Sequence, residues 1–422
     1  MIRAILVLLF LVTPIIAQNP VALEELHSNF ALKKSRVEFK RELQERINNI
    51  LGGKLQSSVE KAWISVFKDI SLAYWRDSTV LSALARGYES FEQRGIIFRR
   101  ALMETAFTLY PDKFNNYINE IYSSTTDPML FAYSVNIRKY QEKDYKIESA
   151  IVELEKRFPE YKSDNVLRQL AYDIETSGKK LHEVLPSPEI ILGHHFEKNA
   201  TIIYTFLNKN REFPGLSVIK SPDGSFVRDE SGEIFHVRQM GVSVSNLPAY
   251  VRGGNTPQGI FSIVGWYVSP TDEIGPTPCV LTRIPFEKPP STFFHKNNKY
   301  KTWHISDYSN LLPESWKDYE PMYQSYFCGK MGRGLIVMHG SVDDLSFYKD
   351  KPYYPLTPTK GCLVTKELWD EETGKATESD QAKLFNAFIS TGSTNGYLVV
   401  VDIIDDERPV RIKDIKKYIK SE

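Results

Sequence analysis

The chain lacks an excess of either charge: 53 Lys and Arg face 53 Asp and Glu. A neutral balance leaves no net field to recruit nucleic acid or anionic lipid, so neither is an expected partner. It has little cysteine, three in 422 residues. The odd number leaves at least one thiol unpaired. Either Cys279 and Cys328 pair and Cys362 stays free, or all three are free. There is no paired His and Cys spacing of the zinc-binding kind, and no glycine-rich phosphate loop. No metal and no cofactor is therefore expected. Beyond the first residues no apolar run is long enough to span a bilayer, which needs about 20 residues.

The exception is the beginning. Met1-Ile2-Arg3 precedes a mostly apolar run, Ala4 to Ile16, and then Ala17-Gln18-Asn19-Pro20. One positive charge, a short apolar core and a small residue at the cut site read as a secretory signal over residues 1–17. The expected location is outside the cytoplasm, with no membrane span after cleavage.

From Val21 to Gly178 the pattern is helical. An amphipathic run begins near Ser35 and stops at Gly52-Gly53. Ser57-Ser58-Val59-Glu60 reads as a capping box, and Asp127-Pro128 as a cap followed by proline at the first helical position. Helix pairs return at intervals that suit either an irregular bundle or a HEAT-like array. No residue here has obvious chemistry. Trp63, Trp75, Tyr110 and Tyr117 read as core, or else as a groove for glycan or a partner protein. Leu185-Pro186-Ser187-Pro188 reads as a linker, which makes residues 18–188 a helical domain.

Beyond it β-branched and alternating runs dominate: Thr201 to Leu207, Leu216 to Lys220, Glu233 to Ser243, Ile260 to Val268, Leu335 to Met338 and Tyr397 to Ile404. The Ile234–Ser243 run is expected to pair with the Gly259–Val268 run. A helix is expected from Ser379 to Ser390. Residues 189–405 thus form a mainly β domain and 406–422 a charged tail, either helical or frayed. The fold class is α+β and multidomain.

Cys362 is the candidate nucleophile. The run Leu335 to Met338 delivers His339-Gly340-Ser341, and the chain returns as Thr359-Lys360-Gly361-Cys362-Leu363-Val364. This order can bring an imidazole base beside a glycine-preceded thiol. The other reading of Cys362 is a small buried apolar residue. Asp343-Asp344 reads as a solvated turn, and His194-His195 and Trp303-His304 as packing or surface residues.

A third segment, Asn255-Thr256-Pro257-Gln258-Gly259-Ile260-Phe261-Ser262-Ile263, completes a series. Thr-Pro-x-Gly-x-Phe-x-Ile, then apolar-His-Gly, then Thr-x-Gly-Cys-apolar resembles the catalytic domain of the L,D-transpeptidase (YkuD) family over roughly residues 190–405. The chain departs from that family at Lys360, where a histidine is frequent, and at Leu363 and Val364, where arginine or asparagine is usual. The loop from His339 to Thr359 is also longer.

The resemblance implies a cysteine acyltransferase acting on peptidoglycan stem peptides, both donor and acceptor, in cell-wall biogenesis. Cys362 would form a thioester and His339 would relay the proton. The amides of Gly361 and Cys362 would hold the oxyanion, with Thr359 contributing a hydroxyl. Ser341 or a backbone carbonyl would fix the imidazole tautomer. Lys360, two residues before Cys362, is expected on the same face, lowering the thiol pKa by proximity. The alternatives are an L,D-carboxypeptidase-type hydrolase using the same Cys and His, or a catalytically inactive wall-binding protein.

Overall fold

The computed structural model describes residues 19–142, 144–196, 200–296 and 301–419. The expected signal, residues 1–17, lies outside them. The N-terminal region is helical and the C-terminal region mainly β, so the chain is α+β.

Eight helices build the first region: α1 (Lys33–Arg46), α2 (Glu60–Leu72), α3 (Ser78–Glu89), α4 (Ile96–Leu109), α5 (Asn115–Ser124), α6 (Pro128–Gln141), α7 (Ala150–Arg157) and α8 (Leu167–Glu175). The starts of α6 and α3 are capped by side chains. Asp127 accepts the Leu130 N–H at 2.8 Å with Pro128 behind it, and Asp77 accepts the Val80 N–H at 2.8 Å. The capping box expected at Ser57–Glu60 is not formed. Ser57–Val59 is a 3-10 turn without a side-chain cap, and Glu60 faces Arg94 at 3.6 Å.

One apolar cluster runs through these helices from Leu43 to Ile174, and it continues into the β region through Leu247, Tyr250 and Val251. Polar contacts reinforce that junction. Tyr74 donates to the Val244 carbonyl at 3.0 Å, Tyr133 to that of Arg252 at 2.5 Å, and Tyr348 to that of Leu72 at 2.7 Å. The two regions therefore share a core. In the segment between them Leu181–Val184 and Pro188–Gly193 are short helices, and Val184 and Leu185 pack on the β-region core. Ahead of α1 the chain straps the β region, where Val21 and Asn386 exchange hydrogen bonds of 2.8 and 2.9 Å.

The β region holds β1 (Thr201–Asn208), β2 (Gly215–Lys220), β3 (Val237–Gln239), β4 (Gly259–Tyr267), β5 (Cys279–Arg283), β6 (Met338–His339), β7 (Leu363–Val364), β8 (Glu367–Trp369), β9 (Ala376–Ser379) and β10 (Gly396–Ile404). Eight of them form one sheet in the order β3-β2-β1-β10-β4-β5-β6-β7, and β8-β9 is a separate ribbon. The sheet nearly closes. Met240, just beyond β3, exchanges hydrogen bonds of 2.8 and 2.9 Å with Val364 of β7.

Both sheet faces are buried, which explains the near-continuous apolar runs. On β10, Leu398 and Val400 enter one core while Tyr397, Val399 and Val401 enter the other. Two expectations are corrected. The Glu233–Ser243 run shortens to β3 and pairs with β2, not β4, because β4 already lies between β10 and β5. The Leu335–Met338 run is strand only at its end, since Leu335 is left-handed with φ 58°. The charged tail takes the helical of its two expected forms over Ile412–Lys416, and it buries Val410 and Ile415 in the core. The expected C-terminal helix forms as Asp380–Ile389, with the Ser379 hydroxyl accepting the Ala382 N–H at 2.9 Å.

Candidate active site

The register of the shortest strands places His339 and Cys362. β6 and β7 are parallel, with Met338 opposite Leu363 and His339 opposite Val364. Met338 and Leu363 point into the barrel core. Alternation therefore puts His339, Val364 and Cys362 on the opposite face. Val280 lies opposite Met338 and Tyr267 opposite Cys279. Tyr267, Cys279 and His339 thus line up across that same face.

His339 is buried. Its Nδ1 donates to the Gly340 carbonyl, because a carbonyl can only accept. That bond leaves Nε2 with the lone pair. Burial holds the imidazole below its ordinary pKa, so it is neutral near pH 7 and able to take a proton. Ser341 does not do the orienting: its hydroxyl donates to Asp343 at 3.0 Å. Asp343 is not a solvated turn residue either, since burial pushes its carboxyl up to about 7. Asp344 is buried and paired with Lys40 at 2.7 Å.

Cys362 is half-buried, and its thiol donates to the Leu335 carbonyl at 3.4 Å. Burial raises its pKa; the Val337 amide and the Arg333 guanidinium oppose that rise, and Glu287 adds to it. Lys360 takes no part. Its ammonium meets Glu104 of α4 at 2.6 Å. The cation that lowers the Cys362 pKa is Arg333 in place of Lys360.

The loop around Cys362 is tightly determined. Gly361 has φ 110°, a conformation reserved for glycine, and a Cβ there would lie 2.2 Å from Arg333 Nη2. Its amide donates to the Thr359 hydroxyl at 3.0 Å, so it is not free to hold an oxyanion. Thr359 in turn donates to the Cys362 carbonyl at 3.0 Å. Among the described residues the Cys362 amide makes no hydrogen bond, which leaves it as the available donor. Thr256, from the first motif, donates to the Gly361 carbonyl at 3.0 Å. All three sequence motifs therefore meet.

Three contributors were not read from the sequence. Arg333 donates to the carbonyls of Ala249, Gly254 (2.9 Å) and Asn255 (3.1 Å), holding the loop before Thr256 against Gly361. Glu367 packs so closely on Gly340 that a Cβ there would fall 2.1 Å from its carboxyl. It accepts from Thr277 at 2.7 Å and from Ser379, and burial pushes it up to about 7. Glu104 is the third. None belongs to a local motif; only long-range packing brings them in.

The three cysteines are free, and Cys279 and Cys328 are both buried. Burial pushes the Cys279 thiol up to about 12. His194 bonds the Leu311 carbonyl at 2.9 Å and Trp303 stacks on Phe286, so both serve packing. Among the described residues no cluster of His, Cys, Asp and Glu is arranged to hold a metal, and no helix is long and apolar enough to cross a membrane. Comparison with family models, with curated proteins and with solved structures returned no match.

Proposed function

We propose that this chain is an exported cysteine acyltransferase of the L,D-transpeptidase type, acting on peptidoglycan stem peptides in the periplasm or cell wall. The observation that supports it best is the meeting of three distant motifs around one thiol. Thr256 bonds Gly361, and the β6–β7 register sets His339 and Cys362 on one face.

In this reading the Cys362 sulfur attacks the carbonyl of a donor peptide as its proton passes to Nε2 of His339. The Cys362 amide stabilises the oxyanion. Collapse breaks the C–N bond, the imidazolium returns the proton to the leaving amine, and a thioester remains. An acceptor amine then attacks to form a crosslink and releases the thiol. Water in place of that amine makes the protein a hydrolase with the same two residues.

A second reading has an observation of its own. The Cys362 pKa is raised rather than depressed, and the thiol is bonded to Leu335 O instead of His339. That arrangement suits a catalytically inactive wall-binding protein. Intact-mass measurement after incubation with stem peptides separates the readings. A covalent acyl adduct on the full chain, absent from Cys362→Ala, is the expected result. Peptide binding without an adduct at any pH would favour the inactive reading, and the released products distinguish transfer from hydrolysis.

A further inference from the structure

A groove of about 460 Å³ runs between α2 and α4 on one side and the loops at Arg252–Gly253, Gly332–Leu335 and Lys360 on the other. It adjoins the candidate nucleophile: Leu335 lines it, and the Leu335 carbonyl is the acceptor of the Cys362 thiol.

Its charge is one-sided. Lys68, Arg100, Arg252, Arg333 and Lys360 line it against the single carboxylate of Glu104. Glu104 is spent on Lys360, and Arg100 is neutralised by Asp127 at 2.8 Å. Arg333 donates to backbone carbonyls and keeps its charge. Lys68 and Arg252 make no ion pair among the described residues. The wall also presents two apolar side chains to solvent, Ile97 at 58% and Leu335 at 75% exposure. Uncommitted cations beside exposed aliphatic groups complement a chain bearing both carboxylates and small apolar side chains. The molecule as a whole is neutral, so this local positive charge is not part of a general polyanion-binding field.

We propose that this groove binds an acidic peptide segment and leads it to Cys362, so that the helical domain supplies half of the substrate-binding surface. The delivery step rests on the acyl-transfer reading above; the binding step does not.

The test uses the full chain and a fluorescein-labelled alternating Ala-Glu octapeptide, followed by anisotropy. Its Ala-Gln counterpart and a short oligothymidylate serve as competitors. Lys68→Glu and Arg252→Glu should each weaken Ala-Glu binding at least about tenfold, through like-charge repulsion, and steepen with low salt. Lys413→Glu, in the C-terminal helix away from the groove, should leave binding unchanged, and thermal melts check that each variant folds. Equal affinity for Ala-Gln, tighter binding of the oligothymidylate, or indifference to both reversals would overturn the proposal. Adduct formation on Cys362 is measured alongside. Groove-dependent binding with no adduct supports the groove and removes the acyl-transfer reading. An adduct formed equally by wild type and both reversals overturns the groove and keeps the cysteine chemistry.

Discussion

The Lys360 ammonium sits 2.6 Å from the Glu104 carboxylate, so the residue two before the candidate nucleophile is committed to α4 and not to the thiol. Glu104 is also wedged against Gly253, where a Cβ would lie 2.4 Å from its Oε1. One ion pair therefore ties the cysteine loop, the loop before Thr256 and the helical region together. The cation left to influence Cys362 is Arg333.

Thiol reactivity should follow that assignment. Because burial raises the Cys362 pKa, iodoacetamide alkylation of the unliganded protein should keep accelerating beyond the ordinary thiol range. Lys360→Met should leave the shape of the rate–pH profile unchanged, and Arg333→Met should move it to higher pH. A plateau near neutral pH in the wild type would contradict the raised thiol. Lys360→Met should still cost stability, about 1–3 kcal/mol by urea denaturation, because Glu104 is left buried without its partner.

Gly361→Ala should destabilise the fold by about 2–3 kcal/mol, since its φ of 110° excludes a side chain and the Cβ would displace Arg333. Chemical denaturation measures the loss. A wild-type midpoint in the variant would mean that the loop is not held as described.

Cys362→Ala should abolish acyl transfer and leave the melting temperature near wild type, because the side chain is half-buried and bears one hydrogen bond. His339→Ala should lower the rate on the order of a hundredfold or more if Nε2 is the base. With a buried imidazole held below its usual pKa, the acid limb of the rate profile should fall below the ordinary histidine range. Product formation by either variant at the wild-type rate would remove that residue from the mechanism.

Glu367 links site and stability. Its folded pKa, about 7, exceeds the ordinary value of 4.5, so between these pH values the native state holds a proton that the unfolded chain has lost. Stability should therefore be fullest below pH 4.5 and decline as pH rises toward 7, by about 3 kcal/mol from this group. Glu367→Gln keeps the shape and the acceptor toward Thr277 without titrating. Its stability–pH curve, from urea denaturation across this window, should be flatter than that of the wild type. Parallel curves would show that Glu367 is already ionised in the fold.

Local rules account for much of the architecture. Helix α6 announces itself by its Asp127-Pro128 cap, and β1, β2, β4 and β10 by apolar runs within a residue or two of their observed ends. These signals are legible because capping and strand burial act over a few residues. Cys362 and His339 stood out as candidates for a related reason, since a thiol and an imidazole base are recognised by residue type and immediate neighbours.

The partners of those residues were decided elsewhere. Lys360 was placed on the thiol's face by spacing alone, yet Glu104, 256 positions away, offered a closer carboxylate. Of the two orienters expected for the imidazole, Ser341 or a backbone carbonyl, the Gly340 carbonyl took the Nδ1 proton and Asp343 took the Ser341 hydroxyl. β3 lost its expected partner because β10 and β5 occupy both edges of β4. The sequence by itself determined which residues are chemically able to act and which segments become helix or strand. Only the tertiary structure decided which donor meets which acceptor, because electrostatic and hydrogen-bond partners compete through space and the nearest one in the folded chain prevails.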